Sequence, residues 1–218
     1  MGDDGRYVVL ASIGFSADFV LRRISDIRGV EGPSLVIAVG LDVGDGQWDR
    51  VERTFLVLRH YLASIGLESR LLRIRLSSDI VRECRDAIIE ALAEAGQGVV
   101  ELFLSGGPRL LVVSLLSAAF TLEDRYVDRV RVVSYGEGFP GSVAYRLSIL
   151  RALSRLDPVE ISILRAIREE RRRVGDLLEV LDIPRSTLYL KINKLIKMGL
   201  VRRVGSELVL QEGLDLFL

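Results

Sequence analysis

The 218-residue sequence predicts an α/β fold, a mostly parallel, doubly wound sheet followed by a small helical module that closes with a hairpin. Two observations carry that expectation. Over the first two thirds, short apolar runs of strand character alternate with segments whose apolar residues recur at helical spacing, the order that builds parallel sheets through crossover helices. In the last third the helices shorten, and two strand-like runs flank Val204-Gly205-Ser206.

Each element follows from its own pattern. Tyr7 to Ile13 reads as a buried strand, and Gly14-Phe15-Ser16 turns it into a helix carrying Phe19, Val20, Ile24 and Ile27. Ser16 is the expected N-cap, with Asp18 in the first turn, where negative charge is favoured. Pro33 precedes a second strand, Leu35 to Val39, and Gly40 to Gly46 is expected to loop. Val51, Phe55, Leu58 and Leu62 mark a second helix. Leu71 to Leu76 is a third strand. Ser77 or Ser78 would cap a third helix with Ile80, Val81, Cys84, Ala87, Ile88 and Ala91 on its apolar face. Val99 to Leu104 is a fourth strand, a helix follows to Phe120, and Val127 to Ser134 is a fifth strand. Gly136 to Gly141 is a turn, after which Val143, Tyr145 and Leu147 alternate as in an antiparallel return.

In doubly wound sheets, ligands bind beyond the carboxyl ends of the strands. Two loops qualify, Gly14-Phe15-Ser16 and Ser105-Gly106-Gly107-Pro108-Arg109, and they face one crevice if their strands are neighbours. The glycines allow close approach of the backbone to a ligand, the helix start favours an anion, and Arg109 offers a planar fork for phosphate. Gly136 and Gly138 could line the edge. No G-x-G-x-x-G motif follows the first strand, which argues against a dinucleotide cofactor.

Ile149, Leu150, Leu153 and Leu156 suggest a connecting helix over 149–156 between a first domain, 1–148, and a second, 157–218. Asp157-Pro158-Val159-Glu160 is a strong helix start, burying Ile161, Leu164 and Ile167. Val174 to Leu181 gives a short helix. Ser186 would cap a third, which ends before Gly199 and buries Leu188, Ile192, Leu195 and Ile196. With the hairpin after it, this is the order of a winged helix-turn-helix. Its charges favour DNA. From Arg185 to Arg203 the chain carries Arg185, Lys191, Lys194, Lys197, Arg202 and Arg203 and no acid. The three lysines recur every third residue and would meet phosphates from one solvent face, while Ser186, Thr187 and Tyr189 lie where a recognition helix meets base edges. Arg171-Arg172-Arg173 reads equally well as a backbone contact or a helix end. The apolar tail, Leu214, Leu216, Phe217 and Leu218, is expected to pack on the wing or a second subunit.

Composition narrows the field further. Lysine plus arginine balances aspartate plus glutamate at 30 each, so any nucleic-acid contact must come from a local patch. One cysteine, Cys84, excludes an internal disulfide and a cysteine zinc site, and it sits on an apolar face; His60 reads as structural or exposed. No apolar run spans a membrane and no basic, apolar leader opens the chain, so a cytoplasmic protein is expected, with no metal and no cofactor.

The Gly14-Phe15-Ser16 loop, the Ser105-Gly106-Gly107-Pro108-Arg109 turn, the length of the first domain and the module after it resemble archaeal CRISPR-locus transcription regulators. These join a CARF domain (CRISPR-associated Rossmann fold) to a C-terminal winged helix. The resemblance implies a homodimer that binds a cyclic oligoadenylate, most often cyclic tetra-adenylate, across its two-fold axis. Gly14, Phe15 and Ser16 would touch the ring, Gly106, Gly107 and Arg109 would hold phosphates or riboses, and Asp18 would face away. The expected function is therefore a ligand-responsive regulator bound to promoter or operator DNA, not an enzyme. Two alternatives stand beside it. One is a ring nuclease, for which Ser16, Ser105 and Arg109 are the available polar groups and no His, Lys or Cys lies in the loops. The other is a metabolite-sensing repressor of the same architecture.

Overall fold

The structure, a computed structural model, describes residues 5–29, 32–44, 46–136 and 141–218. In chain order the elements are β1 (Val8–Ile13), α1 (Asp18–Ile27), β2 (Leu35–Asp42), α2 (Gln47–Ser64), β3 (Glu68–Arg75), α3 (Ile80–Glu94), β4 (Val100–Phe103), α4 (Arg109–Phe120), α5 (Asp124–Val127), β5 (Val130–Tyr135) and β6 (Ser142–Arg146). They continue with α6 (Leu147–Leu153), α7 (Pro158–Arg168), α8 (Val174–Val180), α9 (Arg185–Lys197), β7 (Val201–Val204) and β8 (Glu207–Leu210). The chain divides into two compact units, Met1–Leu147 and Ser148–Leu218.

The first unit is built on a six-stranded sheet in the order β3-β2-β1-β4-β5-β6, parallel throughout except for β6. The two-residue period of the strands sorts their side chains. Val8 and Leu10 of β1 face a core with Cys84, Ile88 and Ala91 of α3 and Leu111 and Leu115 of α4. Val9, Ala11 and Ile13 face a second core with Val20 and Ile24 of α1 and Val51, Phe55 and Leu58 of α2. Helices therefore cover both faces, which is why the central strands are apolar throughout rather than alternating.

One charged residue breaks that rule. Glu101 in β4 is fully buried and accepts bonds from Arg23 of α1, at 2.6 Å from Nε and 2.5 Å from the far guanidinium nitrogen, and from the Tyr7 hydroxyl at 2.7 Å. Arg23 keeps its charge because the Glu101 and Tyr135 bonds outweigh the burial that opposes it. Burial and then the Glu101 charge push the Tyr7 phenol upward.

Four local expectations are revised. The strand β2 runs on to Asp42 where a loop was expected. Gly40 lies within it because a Cβ there would meet Val51 at 2.5 Å and Trp48 at 3.0 Å, so its absence lets α2 pack on the sheet. The run from Val127 is not strand at its start. Asp124–Val127 forms a helical turn closed by the Tyr126 N–H to Glu123 O bond, and β5 begins at Val130. The serines expected as N-caps do not cap. Ala17, Asp79 and Pro184 occupy those positions, while Ser16 and Ser77 accept the N–H two residues on and Ser186 lies inside α9. Finally, the residues read as a connector belong to the second unit, where Ile149 and Ala152 join its core.

That second unit packs α6 to α9 and the antiparallel β7-β8 hairpin around Ile163, Leu164, Ile167, Leu177, Leu188, Ile192 and Leu195. On α7 the buried face includes Ile163, whereas Ile161 is only half-buried. The capping box reads from the sequence as it stands: the Asp157 carboxylate accepts from Glu160 N–H and Glu160 accepts from Asp157 N–H, each at 3.0 Å. Gly199, at φ +70°, ends α9 in the left-handed conformation. Leu214 is buried in a terminal 3-10 turn, with Leu216 exposed.

Candidate functional site

Because β1 and β4 are hydrogen-bonded neighbours, the two glycine loops emerge side by side at the point where the strand order reverses. They enclose a cavity of about 590 Å³. Gly14, Phe15, Ser16, Ser105, Gly106, Gly107 and Pro108 line it, together with Phe19, Leu41, Val43, Gln47 and Val51. The wall from α1, β2 and α2 is mostly apolar, so the site offers a dry surface beside a polar rim.

The glycines do something the sequence reading did not anticipate. A Cβ on Gly107 would stand 2.8 Å from the Ile13 carbonyl oxygen, and Gly107 has φ +82°, where only glycine is unstrained. A Cβ on Gly14 would stand 2.9 Å from Gly107 Cα. The space is thus filled by the backbone of the opposite loop. These glycines first let the two loops close on each other, and the cavity is a consequence of that closure.

The polar groups are also partly committed. The buried Ser105 hydroxyl accepts from Tyr135 N–H at 2.7 Å, which ties the loop to β5. Ser16 donates to the Asp18 carboxylate at 2.7 Å; Asp18 itself is outside the cavity lining. Pro108 is the N-cap of α4 and Arg109 its first residue. Arg109 is exposed and lines an adjoining hollow of about 240 Å³ with Ser105, Gly106, Gly107, Ser134 and Tyr135. Gly136 lines neither space, its N–H donating to the Gly141 carbonyl, and Gly138 lies outside the described residues.

Sequence reasoning missed Gln47 and Arg50. Gln47 is the first residue of α2, and the Arg50 guanidinium lies 3.9 Å from the centre of the exposed Phe15 ring. At such exposed sites the attraction is worth about 0.5–1 kcal/mol, little enough for a planar ligand to replace it. The signal was available, since Leu41, Val43 and Gln47 sit at the carboxyl end of β2, beside β1. At that end the Asp42 carboxyl is held below the usual carboxylate range by the Gly44 N–H and then by Arg73, fixing the turn into α2.

In the second unit the residues read as DNA contacts separate into two groups. Arg185 lies 5.7 Å over the Tyr189 ring; Ser186 and Tyr189 are exposed and Thr187 is half-buried. Lys197, Arg202 and Arg203 are exposed and have no ion pair among the described residues. Lys191 and Lys194 do not share that free surface. Lys191 pairs with Asp157 and, at 3.2 Å, with Glu160; Lys194 lies 2.8 Å from Glu160. The acids are Asp157, the N-cap of α7, and Glu160 in its first turn, outside the acid-free stretch that made the lysines look free. Burial pushes the Glu160 carboxyl up, but the Lys194, Asp157 N–H and Lys191 bonds together hold it below its ordinary value. The Lys191 bond does the same for Asp157, and Lys191 is raised in turn.

Neither His60 nor Cys84 joins these sites. The His60 ring bonds the Leu56 carbonyl oxygen of its own helix, and burial pushes the Cys84 thiol up to about 12. Among the described residues no cluster of side chains could hold a metal ion, and no helix is long and apolar enough to cross a membrane.

Comparison with known proteins agrees with this division. A family profile described as "Csa3 CRISPR-associated Rossmann-like domain" matches residues 7–142, and one described as "Bacterial regulatory protein, arsR family", a helix-turn-helix, matches residues 157–203. No curated protein matches the chain. Among solved structures, "Enterococcus italicus Csm6 bound to cyclic hexa-2'-fluoro-hexa-dAMP" aligns at 13% identity and a TM-score of 0.47, over 90% of this chain and 55% of that one. The chain thus spans about half the length of that protein.

Proposed function

Since the chain belongs to the family of the Csa3 CRISPR-associated Rossmann-like domain and continues into an arsR-type helix-turn-helix, we propose that it regulates CRISPR genes by binding DNA under the control of a cyclic oligoadenylate. The observation that carries the sensing half is the pairing of β1 with β4, which brings the Gly14–Ser16 and Ser105–Pro108 loops around one cavity. In this reading the apolar wall and Phe15 take a base, and Arg109 takes a phosphate in the adjoining hollow. Cyclic tetra-adenylate is the ring size we favour.

A two-fold ring asks for a two-fold protein. Support for a homodimer comes from α4, in which Arg109 is the only charged residue. Its outward row of Leu110, Val113 and Phe120 is 47%, 60% and 41% exposed, an apolar stripe that a second copy would cover. We read the chain as a cytoplasmic sensor rather than an enzyme, because no general acid or base of the His, Lys or Cys type lies in the cavity lining. Ligand and DNA then act on each other reciprocally: whatever factor the ligand applies to DNA affinity, DNA applies to ligand affinity.

The test is thermal unfolding with and without cyclic tetra-adenylate, on wild type and Arg109→Ala, followed by chromatography of the ligand. At a hundred times its dissociation constant the ligand adds about 2.7 kcal/mol. A shift in wild type that shrinks in Arg109→Ala, with the ligand intact, is expected. A shift accompanied by a cleaved ring would make the chain a ring nuclease, and no shift with any cyclic oligoadenylate would end the sensing reading.

A further inference from the structure

The two lysines paired with α7 change what the recognition helix can do. Glu160 is fully buried, yet it carries its charge between Lys191, Lys194 and the Asp157 N–H. A buried carboxylate held this way resists the loss of either cation, because each loss strands charge in a low-dielectric interior. Both lysines are therefore engaged before any DNA arrives. Their position also fixes the rotation of α9 about its own axis. Leu188, Ile192 and Leu195 form its buried face, and Lys191 and Lys194 flank that face. What remains outward is a row at i, i+4, i+7 and i+11: Ser186, Leu190, Asn193 and Lys197, with Tyr189 beside it. Leu190 is 68% exposed and lies in the middle of that row.

We propose that Lys191 and Lys194, clamped on Glu160, are positioning residues that set the outward face of α9, and that Leu190 and Asn193 on that face read base edges while phosphates are met by Lys197, Arg202 and Arg203. This rests on the DNA-binding reading given above. The chemistry fits the assignment: an asparagine amide matches the paired donor and acceptor of adenine, and an apolar side chain matches the thymine methyl, both in the major groove.

The experiment is the salt dependence of binding to a mixed-sequence duplex, by fluorescence anisotropy between about 50 and 200 mM salt, where each phosphate contact contributes about 0.9 to the slope of log K against log salt. The full chain is used, with circular dichroism to confirm folding. Absence of wild-type binding would refute the DNA reading itself. Where wild type binds, Lys191→Gln/Lys194→Gln is expected to keep the wild-type slope, whereas Lys197→Gln lowers it by about 0.9. A fall of about 1.8 in the double variant would overturn the proposal, since both lysines would then be phosphate contacts. Glu160→Gln supplies a readout that a purely structural role would not move. Lys191 keeps its Asp157 partner in that variant, but Lys194, freed from its carboxylate, becomes available to phosphates and the slope steepens; an unchanged or shallower slope in folded Glu160→Gln also overturns the clamp. If either variant does not fold, Lys194→Gln alone decides: an unchanged slope is expected, and a fall of about 0.9 overturns the proposal. Selection from a random-sequence duplex pool completes the test: Asn193→Ala is expected to relax preference at one position of the selected site, and an unaltered preference would remove Asn193 from the reading face.

Discussion

Replacing Glu101 by leucine should destabilise the first unit by about 3–5 kcal/mol, the range for removing one partner of a buried ion pair. The structure places the protein at the costly end of ion-pair behaviour. Glu101 is fully buried and the Arg23 side chain is only 12% exposed, so water cannot take over solvation of the guanidinium once its partner is gone. Two guanidinium bonds and the Tyr7 hydroxyl bond are lost together. Two-unit chains seldom unfold in a single step, which would blur a global measurement. Here the sequence supplies a local probe. Trp48 is the only tryptophan, lies in α2 and is 9% exposed in the first unit's core, so its fluorescence in a urea titration follows that unit. At constant slope the midpoint should fall by about 1–5 M, given roughly 1–3 kcal/mol per M for urea. Adding Arg23→Met to Glu101→Leu should recover most of the loss, because removing both charges is often neutral or stabilising. A loss below about 1 kcal/mol for Glu101→Leu, or no recovery in the double variant, would refute the view that this pair is held together by mutual compensation in a dry interior.

Gly107→Ala should cost about 2 kcal/mol or more, combining roughly 1–2 kcal/mol for a left-handed L-residue with displacement of the Ile13 carbonyl; a loss under about 0.5 kcal/mol by Trp48 fluorescence would show that the loops are not closed as described. The thiol of Cys84, buried and pushed up to about 12, should resist a thiol reagent at pH 8 in the folded chain and react on denaturation; rapid native labelling would contradict its burial in the α3 face. The second unit should have stability on both pH flanks tied to one cluster. Asp157 and Glu160 have lowered carboxyls, so their contribution is present above the ordinary carboxylate range and lost as pH falls through their folded values, below about 4. Lys191 is raised, so its contribution is full below about 10.5 and lost as pH climbs through its folded value. Helix content against pH checks this, and Lys191→Gln should flatten the alkaline limb. Under the homodimer proposed above, wild type should sediment as a dimer and Val113→Glu as a monomer in analytical ultracentrifugation; a monomeric wild type would refute the dimer, and a dimeric Val113→Glu would remove the α4 stripe from its interface.

The sequence alone determined the layer order and named the two loops that could flank a cavity. Alternating strand and helix periods force crossovers, parallel strands open their carboxyl ends to ligands, and two glycine turns at such ends mark a crevice once their strands pair. It also determined the start of α7, because a capping box is complete within four residues, from Asp157 to Glu160. Local chemistry of this kind is written in neighbours along the chain. The tertiary structure decided everything that depends on neighbours in space. Gly107 is visible as a glycine in the sequence, but that the Ile13 carbonyl occupies the place of its missing Cβ emerges only when β1 and β4 pair. Lys191 and Lys194 stand in an acid-free stretch, yet Glu160, 31 and 34 residues earlier, pairs with both, and Asp157 pairs with Lys191. Burial raised the energy of leaving that carboxylate unpaired, and so engaged two cations that linear spacing had left free.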